Sequence, residues 1–207
     1  MKYLSIVLVA ILSISCNENN KEKDQESIPT ETLSLKYDST KQRGNLDHSF
    51  PFTISDGQIG NIETGDSVKL ALEKLNYFRV EKDSIPTCEG CQTYSPLYKM
   101  YDKETDNLSF TIEPGWEQTN KDFIFRIRTS DERFLTDKGV KVGMTVADIR
   151  SRYKIKRVFS GGEPGIHILV ENFEGSFGIE KPNDQNWWRV DKETIPDSLK
   201  IEEIIIL

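Results

Sequence analysis

The chain has 207 residues, with 34 acidic against 27 basic side chains and a formal net charge of −7 at neutral pH. A surface of that sign is repelled by phosphate backbones, and no basic stripe with interleaved aromatics interrupts it, which argues against nucleic acid as a partner. It is repelled by anionic lipid surfaces as well, so any attachment to a membrane has to come from a covalent anchor.

The N-terminus supplies one. Met1-Lys2-Tyr3 is a basic start, Leu4 to Ile14 is almost unbroken apolar sequence, and Ser15 is a small residue placed just before Cys16. That is the layout of a cleaved leader. The apolar run of 11 residues is too short to cross a hydrocarbon core of ~30 Å at ~1.5 Å per residue. Leu12-Ser13-Ile14-Ser15-Cys16 resembles a lipobox, with the leucine one place further from the cysteine than in the strict pattern. The resemblance implies a signal peptide over residues 1–15, acylation of Cys16 with palmitate-type chains, and a mature protein held on the outer membrane, at its periplasmic face or at the cell surface. More than one acyl chain on a single cysteine meets the requirement for stable anchoring.

From Asn17 to Asn45 the only sizeable apolar groups are Ile28, Leu33, Leu35 and Tyr37. Burial of so few side chains does not offset an ordering cost of about 1–2 kcal/mol per residue, so residues 16–45 are expected to form a flexible tether. Glu18, Glu22 and Asp24 resemble the acidic residues that mark surface export in some lipoproteins.

The rest, from about residue 46, contains an internal repeat. Ile62-Glu63-Thr64-Gly65-Asp66-Ser67-Val68 can be laid over Val140-Lys141-Val142-Gly143-Met144-Thr145-Val146, and the same offset brings Ala71 to Ile149, Leu75 to Tyr153 and Arg79 to Arg157. In each copy a short strand ends at a glycine. A hydroxyl residue follows as N-cap, and an apolar stripe then begins at helical spacing (Val68, Ala71, Leu72, Leu75; Val146, Ile149, Tyr153). Thr145 and Asp148 have the spacing of a capping box.

Strands are expected after each helix. The first set is Tyr77 to Glu81, Leu97 to Tyr101, Leu108 to Glu113 and Asp122 to Thr129; the second is Ile155 to Phe159, Ile166 to Glu171, Phe173 to Glu180 and Leu199 to Leu207. Within Asp122 to Thr129, Phe123, Phe125 and Ile127 alternate with Ile124, Arg126 and Arg128. Asn172 and Glu174-Gly175 offer bend or bulge chemistry. The expected architecture is α+β, with a first half over 46–134 and a second over 135–207, each packing one helix on an antiparallel sheet of about four strands.

Ile54-Ser55-Asp56-Gly57-Gln58-Ile59-Gly60, followed by Gly65-Asp66-Ser67-Val68, resembles the opening of small secreted lipoproteins of unassigned function. Thr136 to Thr145 with Tyr153, and Ile195-Pro196-Asp197 with Lys200 to Ile204, are similar to their second-half signature and last strand. The helix-plus-sheet pattern is also similar to beta-lactamase-inhibitor-like and outer-membrane-assembly lipoproteins. The resemblance implies an envelope domain used for protein contacts, with no catalytic residues and no cofactor to carry across.

Cys88-Glu89-Gly90-Cys91 is the one local motif with a chemical look. Outside the cytoplasm two thiols this close are expected to form a disulfide that closes the turn. A redox site of the thioredoxin type would need Cys88 at a helix N-terminus, and Pro86 before it with Tyr94-Ser95-Pro96 after it argue against a helix. Zinc would need two more ligands, with only His48 and His167 at hand. His167 lies within an expected strand, where a hydrogen-bonded structural role is the simpler reading. Ser160-Gly161-Gly162-Glu163 lacks the lysine and helix of a phosphate loop and reads as a hairpin connection.

Trp187-Trp188-Arg189, in the polar loop from Lys181 to Ser198, is the candidate binding surface. Paired indoles stack on a glycan or anchor a protein interface, although one of them can equally turn inward to cover the sheet edge. The reading from sequence is a non-catalytic interaction module tethered to the outer membrane, with an envelope protein or a glycan as partner. The alternative is an envelope thiol protein that uses Cys88 and Cys91.

Overall fold

The computed structural model describes residues 50–87, 90, 92–116, 120–160, 165–182 and 189–207. The leader, Cys16, the tether, His48, Cys88, Cys91, Trp187 and Trp188 lie outside the described residues. All described residues belong to the compact unit Asp47–Leu207.

Three short strands open the domain: β1 (Thr53–Ser55), β2 (Gln58–Ile59) and β3 (Ile62–Glu63). The connection between β2 and β3 requires glycine at Gly60, where φ is +58° and an added Cβ would run into the Phe50 ring. Helix α1 (Val68–Lys74) follows, then a meander of four strands, β4 (Phe78–Pro86), β5 (Tyr94–Asp102), β6 (Leu108–Pro114) and β7 (Ile124–Thr129). Next come β8 (Leu135–Thr136), helix α2 (Val146–Arg152) and a second meander, β9 (Ile155–Ser160), β10 (Ile166–Val170), β11 (Gly175–Ile179) and β12 (Ile201–Ile206).

This arrangement overturns the expected α+β pair of helix-on-sheet halves. The two meanders are one eight-stranded antiparallel sheet in the order β4-β5-β6-β7-β12-β11-β10-β9, closed at its centre by β12 against β7. A separate four-stranded sheet, β3-β2-β1-β8, unites the opening strands with β8 through a parallel pairing of Ile54 with Thr136. The two helices are seven residues each, so strands dominate the described residues. The physical reason lies in the edges. A free β7 and a free β12 would each expose a row of unpaired backbone groups and an apolar strand, and pairing them removes both edges.

One core serves the whole unit. Phe50, Phe78, Phe110 and Phe134 pack edge-on and stacked at centroid distances of 4.9 to 6.2 Å beneath the first meander. Tyr153, Phe173 and Phe177 do the same beneath the second. Val68, Ala71 and Leu75 of the α1 stripe and Val146, Ile149 and Tyr153 of the α2 stripe are buried against them. Ser67 and Thr145, just before each helix, bridge to Phe123 and Lys200 and so clip each helix start to the large sheet.

Candidate interaction surface

Buried residues of the small sheet and the helices share one core with the large sheet, and polar side chains of β6, β7 and β12 point away from that core. Alternation puts Glu113, Arg126, Arg128 and Glu203 on that outer side, while Ile112, Ile127 and Ile204 point into the core. The alternation expected for Asp122 to Thr129 fails at one point. A bulge opposite Glu113 and Pro114 skips Phe125, so Ile124 is buried together with Ile127.

Glu113 sits between two guanidiniums. Its Oε2 lies 3.2 Å from Arg126 Nη1 and its Oε1 lies 2.7 Å from Arg128 Nε, and Arg128 Nη1 reaches Glu203 Oε1 at 3.4 Å. The Arg128 Nε contact is ionic rather than a directed hydrogen bond, and Arg126 Nε is a buried donor without an acceptor among the described residues. Burial pushes the Glu203 carboxyl above its ordinary range, with the neighbouring charge of Glu113 adding to the shift and Arg128 opposing it.

Apolar walls flank this ionic row. An open cleft of about 430 Å³ runs between Ile85, Leu97 and Leu108 on one side and Arg126, Arg128 and Glu203 on the other. A second cleft of about 280 Å³ shares Ile85, Glu113 and Arg126 with it and continues to Pro86, Pro96, Pro114 and Trp116. Trp116 is 57% exposed and is braced edge-on against Phe125 at 4.6 Å; Tyr94 is 65% exposed. Ile85, Pro86, Tyr94, Pro96, Pro114 and Trp116 lie at the end of the sheet where β4 and β6 finish and β5 and β7 begin, and the first cleft runs from there toward Leu108 and Arg128.

The residues singled out from the sequence are placed differently. Arg189 is exposed, and its two tryptophan neighbours are outside the described residues. β4 and β5 pair as far as Pro86 and Tyr94, and Cys88 and Cys91 lie outside the described residues. His167 is buried on β10 opposite Phe159, with the two rings stacked at 5.2 Å. Among the described residues no three His, Cys, Asp or Glu side chains are grouped to hold a metal ion, and no helix is long and apolar enough to cross a membrane. The ionic row was missed in the sequence because its members are contributed by three strands. Its one local trace is Arg126 and Arg128 at strand spacing.

No protein-family model matches the chain, and no curated protein matches it. Among solved structures it is similar to the crystal structure of the uncharacterized protein yfeY from Escherichia coli, at 19% identity and a TM-score of 0.54, over 74% of this chain and 98% of that one. The likeness shows the fold alone.

Proposed function

We propose that the chain is an outer-membrane-anchored envelope lipoprotein whose folded domain is a non-catalytic docking module. The observation that carries this is the continuous groove on the open sheet face, where an exposed, braced Trp116 and apolar walls surround a charge row already neutralised within the chain. Trp and Arg are over-represented among residues that dominate interface energies, and a rigid aromatic loses little entropy on binding. The similarity to secreted lipoproteins and the leader ending at Cys16 support placement in the envelope.

Affinity capture from envelope extracts, with the full chain and with Trp116→Ala, tests the docking surface. The alanine variant is expected to weaken partner binding by about 2 kcal/mol or more with little change in melting temperature. Equal capture by both proteins overturns the groove as the docking surface, and the same comparison with Arg189→Ala then tests the neighbourhood of Trp187 and Trp188. Cys16→Ala is expected to leave the membrane pellet, and continued pelleting overturns the lipid anchor. The thiol-protein alternative predicts titratable free thiols at Cys88 and Cys91 in the folded, unreduced protein, whereas a closed disulfide predicts none.

A further inference from the structure

We propose that β4 is a strand-addition edge that accepts an extended segment of another protein, with charges alternating in complement to Arg79, Glu81, Lys82 and Asp83. Ile85 and Pro86 at the end of β4 also line the clefts, but Phe78 to Ser84 line neither, and the inference does not depend on the groove.

Among the described residues the large sheet ends at β4 on one side and at β9 on the other. The two edges differ in length and regularity. β9 is six residues long, a bulge interrupts its pairing with β10, and exposed Lys156 and Arg157 make no ion pair among the described residues. A bulge and uncompensated cations are the devices by which an edge is closed to further strands. β4 has neither. It pairs with β5 over nine residues without a register shift, and Arg79 to Ser84 are exposed in an unbroken row. Three of its four charges are compensated within the chain: Arg79 meets Asp106 at 2.6 Å and Glu81 at 3.5 Å, and Asp83 meets Lys99 at 2.6 Å. Val80, 41% exposed, sits among them as an apolar contact point. A straight ladder of this length turns backbone donors and acceptors outward at every second residue, ready for an incoming strand.

Charge decides which strand. A second copy pairing symmetrically about Lys82 would set Lys82 against itself and Glu81 against Asp83, and like charges directly opposite are unfavourable. Moving the symmetry axis to Val80 relieves this but leaves only Phe78 to Lys82 in the ladder. A different chain meets every position if it offers, running antiparallel from Ser84 to Phe78, the order Thr-Lys-Glu-Lys-Val-Glu-Val.

That heptapeptide, acetylated and amidated, is the probe. Added to the full chain in detergent micelles, it is expected to slow amide hydrogen exchange over residues 78–86 and to leave β9 unchanged. The double variant Glu81→Lys, Asp83→Lys changes only exposed side chains and is expected to bind the probe about tenfold more weakly, as two opposed pairs turned into like pairs imply. A second peptide, with both lysines replaced by glutamate, is expected to restore binding to that variant. The proposal is overturned if exchange over 78–86 does not slow, if the double variant binds the first probe equally well, or if sedimentation shows a dimer of the unmodified chain that the double variant abolishes, which would make β4 a self-pairing edge.

Discussion

Glu113 pairs with Arg126 and Arg128 at once, in a setting where its side chain is nearly buried and each arginine side chain is about three-quarters covered. Removing one member of such a row leaves an uncompensated charge, which costs more than the intact row contributes. Glu113→Ala is therefore expected to destabilise the fold by about 2 kcal/mol, read as a shift in the urea midpoint, and Arg126→Met by less because Arg128 still holds the carboxylate.

A second cluster gives a pH dependence. Hydrogen bonding from the Arg133 guanidinium, helped by the backbone N–H groups of Glu104 and Thr105, holds the Asp102 carboxyl down at about 2. Burial pushes Asp131 up, but its hydrogen bonds from Arg133 and Ser109 more than offset this and leave it below the ordinary range. Both carboxylates are depressed on folding, so their stabilisation is present above the ordinary carboxylate range near pH 4 and is lost as pH falls toward 2. Arg133→Leu is expected to cost about 1–2 kcal/mol at pH 7, and its difference from the unmodified chain should shrink in melts at pH 2.5.

At the level of elements, the two helix starts look alike in sequence and differ in structure. Thr145 accepts from Asp148 N–H at 3.4 Å while the Asp148 carboxylate receives the Thr145 backbone N–H at 3.0 Å, a closed capping box. Ser67 makes no side-chain cap bond, and α1 has no acidic residue in its first turn. Thr145→Ala is expected to cost about 1 kcal/mol and Ser67→Ala only a few tenths, a contrast that paired thermal melts can read. The reason is visible three residues on, where α1 carries Leu70 and α2 carries Asp148. The box needs its acid to complete the second hydrogen bond.

For the whole molecule, the seam between β7 and β12 is what makes two meanders one unit. Ile204 lies opposite Thr129 on β7 and Phe177 on β11, fully buried in the shared core. Ile204→Ala is expected to cost about 3–4 kcal/mol through lost burial and the cavity left behind. Because both meanders share that core, unfolding of the variant should remain a single transition by calorimetry and by circular dichroism. Two separated transitions would mean that the meanders are independent.

What the sequence determined by itself is local. Helical spacing placed Val68, Ala71 and Leu75 and Val146, Ile149 and Tyr153 on buried faces, and the hydroxyl-x-x-acid pattern located the one real capping box, because both are set by neighbours within a single turn. Strand runs such as Leu108 to Glu113 and Ile166 to Glu171 were legible to within a residue for the same reason. Tertiary structure decided everything that depends on partners distant in the chain. Nothing in Ile201 to Ile206 says that it pairs with β7 as well as β11, since an apolar strand presents the same pattern to either neighbour. The bulge that turns Ile124 inward, the parallel pairing of β1 with β8, and the meeting of Glu113 with Arg128 and Glu203 all arise where two strands come together. Pairing register, unlike helical periodicity, is fixed by whichever combination buries the most apolar surface and leaves the fewest open edges.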